Sequence, residues 1–404
     1  MNRIYLDHAA ATPVSRAVLD TMAMHEENTY GNPSSIHKEG LEAKKVLDAA
    51  RVDIAGALSV RTDEIIFTSS ATESCNLAVI GAVRAWKQTH KEKTPHVIVS
   101  AIEHDAVLAP VRYLEKEGVT STYIPVDSTG MVDIAAIAAA ITVDTVVISI
   151  GYANNEIGTI QPIGDIARTI RRWKKEVREV RRDVSPTTED LYPLFHTDAC
   201  QATNYLSLQI PKLGVDMLTV NAAKIYGPKG VALLAKKSSI PLLPVIVGGG
   251  HEGGMRAGTE NVPLIAGFAR ALTLAKEMEA GEVARLTPIR DYARTCLLTI
   301  PGLVLNGIAV NNLPNIVNFS IPNISHEFLA IALDAKGIAV STKSACNESD
   351  AEVSHVLVAL QSAGHQGDTS GVRLSFGRTT TKEDIDALIR EIGVIQKNMI
   401  VAIR

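Results

Sequence analysis

The chain has 404 residues, of which 46% are apolar and 21% charged, with a net charge of −4. This length and composition predict a large folded core divided between two lobes, and the charge leaves no basic footprint for nucleic acid or an anionic membrane. The opening MNRIYLDHAA lacks the apolar run of a signal peptide and no later run is long enough to span a bilayer, so a soluble, cytoplasmic protein is expected.

Short apolar, β-rich runs then alternate with segments of helical period. EIIFT (64–68), HVIVS (96–100), STYIPV (121–126), TVVISI (145–150), PLFHTD (193–198), DMLTV (216–220) and VALLA (231–235) read as strands. Their near-continuous apolar character suits a sheet covered on both faces. Helices are predicted over 106–118 and 163–182. Strand–helix alternation predicts an α/β fold, with a mostly parallel seven-stranded sheet flanked by helices in a large domain spanning 16–260. RRWKKEVREVRR (171–182) holds seven basic residues and two glutamates and reads as a solvated helix face, followed by the polar loop DVSPTTED (183–190). Beyond about residue 260 the pattern changes. Helices are predicted over 262–279 and 283–299, strands near 314–320, 338–342 and 371–376, and a last helix from 381. These form a smaller α+β domain, 261–404, joined by the N-terminal segment 1–15.

Ligands of open α/β sheets bind at the carboxyl ends of the strands. After EIIFT comes Ser69-Ser70-Ala71-Thr72-Glu73-Ser74, a hydroxyl-rich helix start suited to a phosphate. After HVIVS come Glu103 and His104, and after TVVISI the amides Asn154 and Asn155. Asp198 and then Gln201 follow PLFHT, and Lys224 follows VNAA. A lysine desolvated in such a place serves as a nucleophile or base. A phosphate cradle, a carboxylate for a pyridinium nitrogen and a Schiff-base lysine are together what pyridoxal phosphate requires. The four cysteines, Cys75, Cys200, Cys296 and Cys346, are widely spaced with no CxxC pair, which argues against a disulfide framework or a zinc site, and no metal is expected. Gly248-x-Gly250-x-x-Gly253 matches the dinucleotide fingerprint. Gly254, Gly258 and Pro263 interrupt the helix that this fingerprint must open, and no strand follows within the next 20 residues, so nicotinamide binding is set aside.

YLDHAAATP (5–13), YGNPSSIH (30–37), TSSATESCN (68–76), EHDAV (103–107), ANNEIG (153–158), HTDACQ (196–201), AKIYGPKG (223–230), GGGHEGGMRAGT (248–259), STKSACN (341–347) and VRLSFGR (372–378) resemble the cysteine desulfurases. These are fold type I, pyridoxal-phosphate-dependent enzymes of the class V aminotransferase family, and the resemblance runs almost end to end. The SAC form around Cys346 resembles the branch that supplies sulfur for iron–sulfur clusters and tRNA thiolation. The resemblance implies that Lys224 is the Schiff-base lysine, that Asp198 pairs with the pyridine nitrogen, and that His104 stacks on the ring and moves protons. Gln201 is implied to reach the phenolic oxygen, with Asn155 beside it and the substrate carboxylate. Ala71 and Thr72 are implied to hold the phosphate, which Thr259 of a second subunit completes, so a homodimer is expected. Arg373 is implied to grip the carboxylate of L-cysteine, with Cys346 as nucleophile on a polar loop from Thr342 to Asp350 that delivers persulfide to a sulfur-acceptor protein or cluster scaffold.

Three departures stand out. The family pattern Ser-x-His-Lys is here Asn221-Ala222-Ala223-Lys224. Asn221 replaces one phosphate contact and Ala223 cannot replace the other, so weaker cofactor retention is expected. Ser70 stands where glycine is usual. The chain ends at Arg404 without the tail that docks a cluster scaffold in family members, and 171–190 is the candidate substitute surface. The alternative readings are a selenocysteine lyase or another fold type I β-lyase, neither of which needs Cys346, and a non-catalytic scaffold homologue.

Overall fold

A computed structural model describes residues 3–181, 191–322, 324–342 and 353–402. The short first strand β1 (Ile4–Tyr5) precedes a seven-stranded sheet formed by β2 (Ile65–Thr68), β3 (His96–Ser100), β4 (Thr120–Ile124), β5 (Thr145–Ser149), β6 (Leu194–Asp198), β7 (Met217–Asn221) and β8 (Ala232–Lys236). Their order across the sheet is β2-β8-β7-β6-β5-β3-β4. β8 runs antiparallel to both its neighbours and every other pairing is parallel. β3 and β5 are buried at every position, as a sheet covered on both faces demands. Alternation then splits the core in two: Ile98, Leu218 and Val220 pack into one cluster, and Val97, Val99 and Met217 into the other. β4, half exposed, is one edge of the sheet and β2 the other.

The helices after β3 and β5, Asp105–Lys116 and Ile163–Arg181, lie close to their predicted bounds, and Ala71–Thr89 opens after β2 where the sequence predicts a helix start. The region after 260 differs from expectation. The two helices predicted over 262–279 and 283–299 are one, Val262–Leu297, with Pro288 inside it. A Cβ at Gly281 would meet nothing within 4 Å, so this glycine costs the helix about 1 kcal/mol of propensity and breaks nothing. Past this helix, β9 (Val304–Asn306), β10 (Ile316–Ser320) and β12 (Val372–Ser375) form an antiparallel sheet. β11 (Ile338–Ala339) pairs in parallel with β1.

The segment after β1 is a strap between two distant parts of the chain. Leu6 N–H donates to Ala339 O, and Ser375 N–H to Leu6 O. Thr12 then donates through both N–H and Oγ1 to Ala223 O, each at 3.0 Å. Gly377 lets the strap approach: a Cβ there would fall 2.1 Å from His8 Nε2. Among the described residues, no helix is long and apolar enough to cross a membrane.

Candidate active site

A cavity of about 180 Å³ opens at the carboxyl ends of the sheet strands. Its lining includes Ala71, Thr72, His104, Asn155, Asp198, Gln201, Asn221, Lys224 and Arg373. Strand periodicity explains most of the gathering: all but Arg373, which lies within β12 of the smaller sheet, follow or end an apolar run whose register in the sheet brings its end to the same edge.

Lys224 closes a short 3-10 turn, Ala222–Lys224, which Asn221 caps by accepting the Ala223 N–H on Oδ1 at 3.1 Å. Its Nζ donates to the strap carbonyls of Ala9, at 2.9 Å, and Ala10, at 2.6 Å. Gln201 Nε2 donates to the same Ala9 carbonyl at 3.0 Å. The strap therefore holds the two side chains side by side. Beyond the lysine, Tyr226 adopts φ 62°, its N–H bonded to Thr12 Oγ1 at 2.7 Å and its ring lying 3.9 Å from the Arg378 guanidinium.

Asp198 ends β6 and accepts the Cys200 N–H at 2.9 Å on Oδ1. Cys75 Sγ lies 3.9 Å from its Oδ2. Burial, reinforced by the Asp198 charge, pushes both the Cys75 and the Cys200 thiol up, so each is an inert thiol rather than a nucleophile. His196, behind Asp198, is bonded on both ring nitrogens, to Ser149 Oγ at 2.8 Å and Thr219 Oγ1 at 3.0 Å. Burial pushes its pKa down to about 4, so it is neutral.

The helix Ala71–Thr89 begins at the cavity, with Ser70 Oγ capping it through the Glu73 N–H at 3.2 Å. One hydroxyl suffices for that cap, and the first N–H groups at Ala71 and Thr72 remain for an anion. Glu73 is tied to Arg256 at 3.0 Å. His104 Nδ1 accepts the Ala106 N–H at 3.0 Å, which caps the helix Asp105–Lys116 and orients the ring.

Arg373 is among the most deeply buried large side chains, with 1% of its surface exposed. Nη2 donates to Asp7 Oδ1 at 2.7 Å and Nη1 to the Asn155 carbonyl at 3.1 Å, which leaves other guanidinium donors for a carboxylate. Asp7 was not singled out in the sequence, because its partner lies 366 residues away. Glu103, which also lines the cavity, was passed over beside its histidine neighbour. Thr259 is exposed and does not line this cavity. Cys346 and Lys343 lie outside the described residues. The glycine-rich 245–258 stretch opens no helix at its last glycines. It makes a 3-10 turn, His251–Gly254, with left-handed Glu252 and Gly253, which agrees with setting the dinucleotide fingerprint aside.

A lysine, an aspartate, amides and a helix start converging at one edge of a predominantly parallel sheet is the construction of fold type I enzymes. The chain belongs to the aminotransferase class-V family, which matches residues 4–180 and 187–388. It is 41% identical over 384 residues to the cysteine desulfurase IscS of Dictyoglomus turgidum, across 95% of this chain and 92% of that one. It is 38% identical to the cysteine desulfurase IscS 1 of Archaeoglobus fulgidus, across 97% of each chain. The solved structure of a NifS-like protein superposes with a TM-score of 0.86 at 34% identity, covering 98% of this chain and 99% of that one.

Proposed function

We propose that this protein is a cysteine desulfurase that uses pyridoxal phosphate to convert L-cysteine to L-alanine, leaving the sulfur as a persulfide on Cys346. One observation carries the reading: Lys224, Asp198, His104, Gln201, Asn155 and Arg373 line one cavity with the start of the helix Ala71–Thr89. That donor set fits the cofactor. The N–H groups at Ala71 and Thr72, with the Asn221 amide, would take its phosphate, Asp198 its ring nitrogen and Gln201 its phenolic oxygen. Bound there, pyridoxal phosphate supplies an electron sink for the bonds at the substrate Cα.

The chain's own residues do the rest. Arg373, held by Asp7 and by the Asn155 carbonyl, presents donors to the substrate carboxylate and fixes its orientation. His104, held in place by its helix cap, would lie against the cofactor ring. Lys224, positioned by the Ala9 and Ala10 carbonyls, moves the proton at Cα. The Cys346 thiolate attacks the substrate sulfur. A sulfur–sulfur bond forms as the Cβ–sulfur bond breaks, the electron pair returns to the carbon skeleton, and protonation there gives alanine. A thiol acceptor then takes the outer sulfur.

The same proposal places the catalytic lysine in a large lobe, 16–260, and the cysteine in a smaller one, 261–404. It makes the working unit a homodimer in which Thr259 completes the partner's phosphate site. Its exposure, with that of Tyr30, Ile36 and Val247 at 77%, 93% and 78%, supports a surface made to be covered. The acceptor is a sulfur-carrier protein or cluster scaffold. Free thiols at Cys75, Cys200 and Cys296 support a reducing, cytoplasmic setting. The test is product analysis from L-cysteine with added pyridoxal phosphate and a thiol reductant. Equal alanine and sulfide, both lost in Cys346→Ala, is the expected result. Alanine formation that survives Cys346→Ala would make the enzyme a lyase of another kind.

A further inference from the structure

Glu103 is a carboxyl for which the reaction above has no use. It follows β3, lines the cavity, and is 4% exposed. Oε1 accepts the Gly151 N–H at 2.8 Å. Oε2 lies against Gly151, where a Cβ would come within 3.1 Å of it, so the missing side chain at 151 gives the carboxyl its room. Among the described residues, no cation is paired with it. The groups that face it are few. Asp198 repels it from the end of β6, and Cys75, from the helix Ala71–Thr89, faces it as an uncharged thiol. From the helix His355–Ser362, His355 Nε2 reaches the Glu103 main-chain carbonyl at 2.9 Å, not the carboxyl. His104 follows it in the chain and turns its Nδ1 to its own helix.

We propose that Glu103 is a positioning residue that stands in the resting site as a neutral carboxylic acid, so that Asp198 is the single negative charge offered to the ring nitrogen of the cofactor. The inference rests on the reading that Asp198 meets that nitrogen. Two carboxyls in the lining of one cavity, one of them buried with a single amide donor, cannot both ionise cheaply. Asp198 lines the same cavity and accepts the Cys200 N–H. Glu103, with one amide donor and no cation, keeps the proton. Burial pushes its pKa up, the Gly151 hydrogen bond pulls it back, and the Asp198 charge raises it again, to about 8. Ionising Glu103 places a further negative charge in the wall of the cavity. That charge ties the ring proton more tightly and opposes entry of the substrate carboxylate.

The test uses the full-length protein, with and without pyridoxal phosphate. Infrared difference spectra of wild type against Glu103→Gln should show the carbonyl stretch of one protonated carboxylic acid at about pH 6, lost at about pH 10. Linkage gives an independent measure. The folded group is protonated and the unfolded one ionised between about pH 5 and pH 8, so wild type loses stability as pH rises through that window. The ratio of unfolding constants, wild type over Glu103→Gln, should climb by up to about tenfold per pH unit there and level off above about pH 8. With cofactor bound, the visible absorbance of wild type should show an alkaline transition that Glu103→Gln lacks. No protonated-acid band at about pH 6, or a stability ratio flat across the window, overturns the proposal. If Glu103→Gln does not fold, the wild-type band and its loss at high pH decide alone. Failure of the protein to bind pyridoxal phosphate would instead refute the functional reading and leave the infrared result standing.

Discussion

Asp7→Ala isolates the strap's contribution to the site. The Arg373 side chain is 2% exposed and Asp7 is 20% exposed, and they meet at 2.7 Å. Among the described residues, Arg373 Nε has no partner, and the other acceptor of the guanidinium is the Asn155 carbonyl at 3.1 Å. Removing Asp7 strands a buried guanidinium. Breaking a buried pair costs about 3–5 kcal/mol, because the surviving charge stays desolvated. Asp7 is partly open to solvent, which puts this case at the low end, about 3 kcal/mol. Asp7→Asn keeps an acceptor and loses the charge, so it should cost about 1–2 kcal/mol, the difference between a charge-assisted and a neutral hydrogen bond. Urea denaturation of the wild type and both variants at neutral pH reads this directly, with the midpoints falling in the order wild type, Asp7→Asn, Asp7→Ala and the slopes unchanged. An Asp7→Ala within about 0.5 kcal/mol of wild type would refute the reasoning, since that is the scatter of an ordinary surface substitution.

Two further substitutions probe the cofactor site and its support. Ala223→His restores a charge-assisted donor beside Lys224 and should tighten pyridoxal phosphate by about 1.5–3 kcal/mol, tenfold or more in Kd, read by absorbance titration of the cofactor-free protein. Equal affinities would show that another group already fills the gap. His196, neutral with a pKa of about 4, should penalise the folded state as pH falls from about 6.5 towards 4, because only the unfolded chain then takes up the proton. The loss approaches about 1.4 kcal/mol per pH unit and should be missing in His196→Gln. Parallel acid slopes for the two proteins in chemical denaturation would contradict it.

Much of this site was legible in the sequence because most of its residues, Arg373 within β12 excepted, are local to a strand end. HVIVS matches β3 to the residue, and His104, four residues beyond its end, lies in the cavity. The Lys224 segment was equally readable, since two alanines and a Gly-Pro turn leave little else for a lysine to do. Long-range pairings were not legible. No local pattern says that Ala9 and Ala10 carbonyls hold Lys224, that Asp7 partners Arg373, or that Gly377 leaves room for His8. Glu103 was hidden for another reason. A glutamate at a strand end reads as exposed, and its proton follows only from burial beside Asp198. The break placed between 279 and 283 failed because one exposed glycine cannot end a helix flanked by strong helix formers.

The central claim is that Cys346 receives the sulfur of L-cysteine while Lys224 serves the carbon skeleton. It is tested most directly by a single turnover without reductant, followed by mass analysis of the protein's peptides. The account predicts one extra sulfur atom on the peptide containing Cys346, matched by one equivalent of alanine, with neither product formed by Lys224→Ala. Alanine in full yield with no sulfur on Cys346, or no alanine at saturating pyridoxal phosphate, would contradict it.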